Sequence, residues 1–69
     1  IDKAAEMARL SKEIAKLRQE AERGAAKLDN ANFIGRAPAE VVEKERARVA
    51  ELQAAAIKLE EQLVRIRQL

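Results

Sequence analysis

Asp29-Asn30-Ala31-Asn32-Phe33-Ile34-Gly35-Arg36-Ala37-Pro38 interrupts an otherwise uniform chain and divides it into two long helix-forming segments. It holds the only proline and one of the two glycines of the 69 residues. Asn30 and Asn32 tolerate left-handed backbone and suit a helix stop. Pro38 suits the first turn of a following helix, where its missing N–H is no loss. Glu40 then sets a carboxylate near the positive end of that helix, although Ala37 is a poor N-cap. These signals predict a first helix over about residues 2–29, a turn over 30–37 and a second helix over about 38–68.

On either side of this turn the apolar residues recur at spacings of three and four. The first series is Met7, Leu10, Ile14, Leu17, Ala21, Gly24 and Leu28; the second is Val42, Glu45, Val49, Leu52, Ala56, Leu59, Leu63 and Ile66. Each is a heptad seam of alternating a and d positions, broken once at Glu45. A connection this short requires antiparallel helices. One register then pairs a with d throughout, from Met7–Ile66 and Leu10–Leu63 through Gly24–Val49 to Leu28–Glu45. In it small residues oppose large ones at Leu17–Ala56, Ala21–Leu52 and Gly24–Val49, as close packing requires. A parallel homodimer would stack Gly24 on Gly24 and Ala21 on Ala21. The expectation is an all-α, antiparallel two-helix coiled-coil hairpin, monomeric, with a domain-swapped dimer as the open alternative.

Composition narrows the chemistry. There is no cysteine and no histidine, so thiolate metal sites, disulfides and the commonest general base are absent. Ser11 is the single serine and has no histidine to activate it. No Gly-rich phosphate loop follows a strand, and the carboxylates lie along solvated helix faces. No catalytic residue, metal site or bound cofactor is expected in this chain. No apolar run is long enough to span a bilayer, and a cytoplasmic protein is expected. The chain starts at Ile1, which leads to the expectation of a fragment of a longer protein.

The charges are unevenly placed. Net charge is only +2. Between Arg23 and Arg48 there are six basic and four acidic residues, so the whole excess lies in the half nearest the turn. The e and g pairs of the register contain no ion pair, and Lys27 faces Arg48, a like-charge contact that opposes folding slightly. Arg23 and Lys44 flank that edge; Arg36 in the turn and Arg46 on the opposite edge add to it. Arginine offers phosphate a two-pronged fork and bases a flat stacking surface, while lysine offers a point charge. A phosphate-binding patch made of Arg23, Lys27, Arg36, Lys44, Arg46 and Arg48 is one reading. A solvated face diluted by Glu20, Glu43 and Glu51 is the other. Phe33 and Ile34 are expected to fold back over Leu28, Val41 and Val42 as a plug, the alternative being Phe33 exposed for base stacking.

The run from Asn32 to Arg46, Asn-Phe-Ile-Gly-Arg-Ala-Pro-Ala-Glu-Val-Val-Glu-Lys-Glu-Arg, resembles the C-terminal arm of bacterial valyl-tRNA synthetases. Ile14-Ala15-Lys16-Leu17, Lys27-Leu28-Asp29-Asn30 and Lys58-Leu59-Glu60-Glu61-Gln62-Leu63 extend the similarity over nearly the whole chain. The resemblance implies a tRNA-binding arm on a class I synthetase. Its partners would be valine-accepting tRNA and the rest of the synthetase, whose catalytic domains would use ATP. It implies contact with the outer corner of tRNA, where the D and T loops meet. Basic positions near the arm's turn correspond first to Arg23, Arg46 and Arg48, then to Lys27 and Lys44, with Arg36 less firmly matched. A structural or protein-binding coiled coil, or a basic coiled-coil appendage of a translation-related ATPase, are the alternatives.

Overall fold

The first helix begins where Asp2 can cap it: the Asp2 carboxylate accepts from the Ala5 N–H at 3.2 Å. In the computed structural model, which describes residues 2–69, α1 runs Lys3–Asp29, α2 runs Ala31–Arg36 and α3 runs Ala39–Arg67. No strand occurs among the described residues. Helices α1 and α3 pack along their length into a rod of 50 × 13 × 13 Å. The all-α hairpin read from the heptads is the architecture.

Burial follows the seam. Leu10, Ile14, Ala21 and Gly24 of α1 and Val42, Val49 and Ala56 of α3 are buried. Met7, Leu17, Leu28, Glu45, Leu52, Leu59, Leu63 and Ile66 are half-buried. A pair of helices has only one face each to hide, so a full layer of shielding is unattainable and Leu10, 1 % exposed, stands out. At the open end of the rod the Lys3 ammonium donates to the Leu69 carbonyl at 2.9 Å, tying the two termini of the hairpin together. Nearby, the Arg9 guanidinium donates to Glu6 at 3.0 Å and holds that carboxyl below its ordinary pKa.

The turn is more ordered than its composition suggests. Residues 31–36 form a separate one-and-a-half-turn helix rather than a loop. Asn30 ends α1 and starts α2 in extended backbone (φ −84°, ψ 112°), and its side chain accepts from the Asn32 N–H at 2.9 Å. The left-handed stop anticipated for Asn30 and Asn32 is thus replaced by an Asx cap, and no described residue has positive φ. Pro38 sits one residue outside α3, as its N-cap at ψ 150°, instead of within the first turn; its carbonyl accepts from Val41 and Val42 at 3.0 and 3.2 Å. Phe33 is half-buried, whereas Ile34 and Val41 remain 45 % and 44 % exposed, so Ile34 and Val41 are not covered as anticipated.

A second departure concerns charge pairing. Arg18 of α1 forms an ion pair with Glu60 of α3, a bridge between helices that the level-by-level register does not contain. Both side chains are long enough to reach one heptad along the seam, which pairing by register ignores. The partners are 60 % and 39 % exposed, so solvent screens the contact and its contribution is small, about 0–1 kcal/mol.

At Gly24 α1 and α3 pack tightly against each other. A Cβ there would lie 2.5 Å from Val49 Cγ2 and 3.0 Å from Glu45 Oε1. Alanine at this position gains about 1 kcal/mol of helix propensity. Displacing a β-branched neighbour whose χ1 is stiff in a helix costs about 1–3 kcal/mol. Gly24→Ala is therefore expected to lower the melting temperature by several degrees, and Val49→Ala in the same chain to recover part of the loss. A rise in melting temperature on Gly24→Ala alone would contradict this close packing.

Candidate nucleic-acid interface

Gly24 carries no side chain, and longer side chains stand around it. Glu20, Arg23, Gly24 and Lys27 from α1 and Glu45 and Arg48 from α3 line one open cleft. Residues 20, 23, 24 and 27 share a face because three- and four-residue steps return to the same side of a helix. The antiparallel register sets Arg48 opposite them. Arg23, Lys27 and Arg48, anticipated as neighbours, are thus brought to one place. Among the described residues no group of His, Cys, Asp or Glu is arranged to hold a metal ion.

The remaining basic candidates lie elsewhere on the turn-proximal half. Lys44 is exposed on α3, one turn before Arg48, and is not among the cleft-lining residues. Arg46 faces away and pairs with Glu43 at 3.6 Å, its side chain 62 % exposed. Arg36 is exposed in the last turn of α2, at the tip of the rod. Around the cleft, then, three of the six candidates converge, while Lys44, Arg46 and Arg36 extend the basic surface along α3 and over the tip.

Two residues of the cleft escaped the reading of charge alone. Gly24 was visible as a packing glycine but not as the floor of a depression. Glu45 was visible only as a break in the seam. Its side chain is 16 % exposed, its carboxylate lies against Gly24, and Oε1 accepts from Arg48 Nη1 at 3.4 Å. A charged residue at a d position, one level along the seam from a glycine, was the signal that could have revealed it. Glu20 also lines the cleft, so the acidic dilution considered from the sequence is present at the site itself.

Chemically, the arrangement offers guanidinium and ammonium donors to an anion lying across two helices, with the carboxylates of Glu20 and Glu45 beside them. Fold and cleft together define a coiled-coil arm with a basic depression near its tip. The model of the valyl tRNA synthetase tRNA binding arm matches residues 2–67, and the chain belongs to that family. Similar curated proteins include the valine–tRNA ligases of Laribacter hongkongensis, 46 % identical over 96 % of this chain, and of Mesorhizobium japonicum, 51 % identical over 97 %. The valine–tRNA ligase of Coxiella burnetii is 52 % identical over the full chain. The chain spans only 7–8 % of the length of these relatives. No solved structure matches it. No helix among the described residues is long and apolar enough to cross a membrane.

Proposed function

We propose that this arm holds valine-accepting tRNA by its outer corner, where the D and T loops meet, while catalytic domains of a cytoplasmic valine–tRNA ligase attach the amino acid using ATP. The arm is the positioning element of that enzyme, needs no cofactor of its own, and acts as a single monomeric hairpin. The observation that carries the reading is the convergence of Arg23, Lys27 and Arg48 from two helices on one cleft, in a chain of the tRNA-binding-arm family.

The chemistry suits a structured RNA. Phosphate contacts fix where a nucleic acid sits and do not read its sequence. Folded RNA is recognised by shape and by stacking on exposed bases, and an arginine provides both a phosphate fork and a stacking plane. A rigid rod carrying such a cleft near one end can reach a distant corner of a large substrate. Lys44, Arg46 and Arg36 would widen the contact around the tip.

Binding of the 69-residue chain to valine-accepting tRNA, measured at about 50 and 200 mM salt, tests this. Each phosphate neutralised contributes a slope of about −0.7 to −0.9 to log K against log[salt], so three contacts weaken binding by roughly twentyfold to fortyfold over that range. Absence of salt-sensitive binding at the lower concentration would leave the hairpin as a structural or protein-binding coiled coil.

A further inference from the structure

We infer that Glu45 is a specificity-determining residue: an internal carboxylate that competes with RNA phosphate for Arg48 and so discriminates against anions that engage the cleft at one point only. This rests on the reading of the cleft as the RNA-binding face.

Three observations meet at this residue. Glu45 occupies a d position, where an apolar side chain would complete the seam. Despite its charge it is drawn inward, 16 % exposed, and its Oε1 lies 3.0 Å from where a Cβ would stand on Gly24, the one seam residue of α1 without a side chain. From there its Oε1 accepts from Arg48 Nη1 at 3.4 Å, within the same cleft that Arg23 and Lys27 line. Gly24 therefore does two things at once: it lets Val49 approach, and it opens the space in which this carboxylate reaches the rim of the basic surface.

A phosphate that takes up Arg48 must displace Glu45 or lie beside it. Either is unfavourable. A rigid folded RNA already seated by Arg23 and Lys27 can meet Arg48 through its other N–H groups and leave the Nη1–Glu45 bond in place. A flexible single strand must order its backbone for each phosphate placed and gains less from the same cleft. Glu45 thereby lowers affinity for unstructured polyanions more than for a shape-matched one.

The test compares wild type with Glu45→Gln, which keeps the side-chain volume and removes the charge, in binding to poly(U) and to valine-accepting tRNA. Loss of the carboxylate is expected to tighten poly(U) binding about two- to fivefold, the size of a released surface ion pair, and tRNA binding by less. The salt slope for poly(U) should steepen by up to about 1. In an Arg48→Gln background the same substitution should have no such effect, because the competition is for Arg48; a merely structural role of Glu45 would persist there. Circular dichroism keeps the comparison to folded chains, and Glu45→Leu, which fills the seam, provides a second charge-free variant. Equal gains for both RNAs, or none, would overturn the inference while leaving the cleft's role intact if Arg23→Ala/Arg48→Ala still weakens tRNA binding. Failure of wild type and double variant alike to bind tRNA would remove the cleft's role, and the inference with it.

Discussion

Leu10→Ala is expected to leave the hairpin largely unfolded at 25 °C. Leu10 is the most deeply buried large side chain among the described residues, 1 % exposed. Truncating a buried leucine removes its transfer free energy and leaves a cavity that the surroundings only partly fill, a loss of about 2–5 kcal/mol. A core in a chain below about 70 residues seldom supplies more than about 3–5 kcal/mol in total. The loss is therefore comparable to the whole stability of the rod. Circular dichroism at the helical minimum would show most of the signal gone, or a melting temperature lower by ~15 °C or more where folding survives. Ile57→Ala is the companion variant. Ile57 is 56 % exposed on the outer side of α3 and off the seam, so its loss should change stability by less than about 0.5 kcal/mol. If both variants melted alike, stability would come from helix propensity spread along the chain and the seam would be incidental.

The contrast between Leu10 and Ile57 also shows what kind of information the sequence holds. Both are aliphatic residues in long helices, and only their phase in the three-four spacing separates them. That phase is local, repeated over each helix, and the register follows from it once the turn is short. The opposition of Gly24 to Val49 was legible for the same reason, since size alternation along one seam must be met by the other. The turn was less legible. A six-residue helix is too short to show a period, and Asn30 has several ways to stop a helix, of which a side-chain bond to Asn32 is one. Pro38 fits the first turn and the position before it almost equally, because its fixed φ serves both.

At the site, positions on the helix surface were legible and side-chain reach was not. Heptad phase places Arg23, Lys27 and Arg48 along one edge, and the cleft gathers those three. Lys44 shares the edge but stays outside the cleft, one helical turn nearer the hairpin turn than Arg48. Arg18 spans to Glu60, and Arg48 turns back to Glu45 on its own helix. Such choices depend on rotamers and on space. At Glu45 the space comes from a glycine twenty-one residues earlier in the chain. A pattern of charges along one helix carries no record of that opening.

The second large effect is on RNA. Arg23→Ala/Arg48→Ala is expected to weaken binding of valine-accepting tRNA tenfold or more at about 50 mM salt, roughly 1.4 kcal/mol. It should also flatten the salt dependence by about 1.5–2 in log K against log[salt], because two phosphate contacts are lost. The control that gives this meaning is Arg65→Ala/Arg67→Ala. Both residues lie in the last turn of α3, at the opposite end of the rod from the cleft. Either double substitution takes the net charge from +2 to zero. If tRNA responded only to overall charge, the two variants would weaken binding equally. If the cleft is the contact, only the first pair matters. Arg23→Lys/Arg48→Lys separates charge from shape: lysine keeps the point charge and the slope but loses the fork and the stacking plane, so affinity should fall by an intermediate amount. Arg48 also releases Glu45 when removed, so melting curves must accompany each titration. Weakening confined to the cleft pair, in chains that still melt like wild type, would locate the tRNA on this face. Unchanged binding in the cleft pair would move the contact elsewhere on the rod and leave Arg36, Lys44 and Arg46 as the next residues to replace.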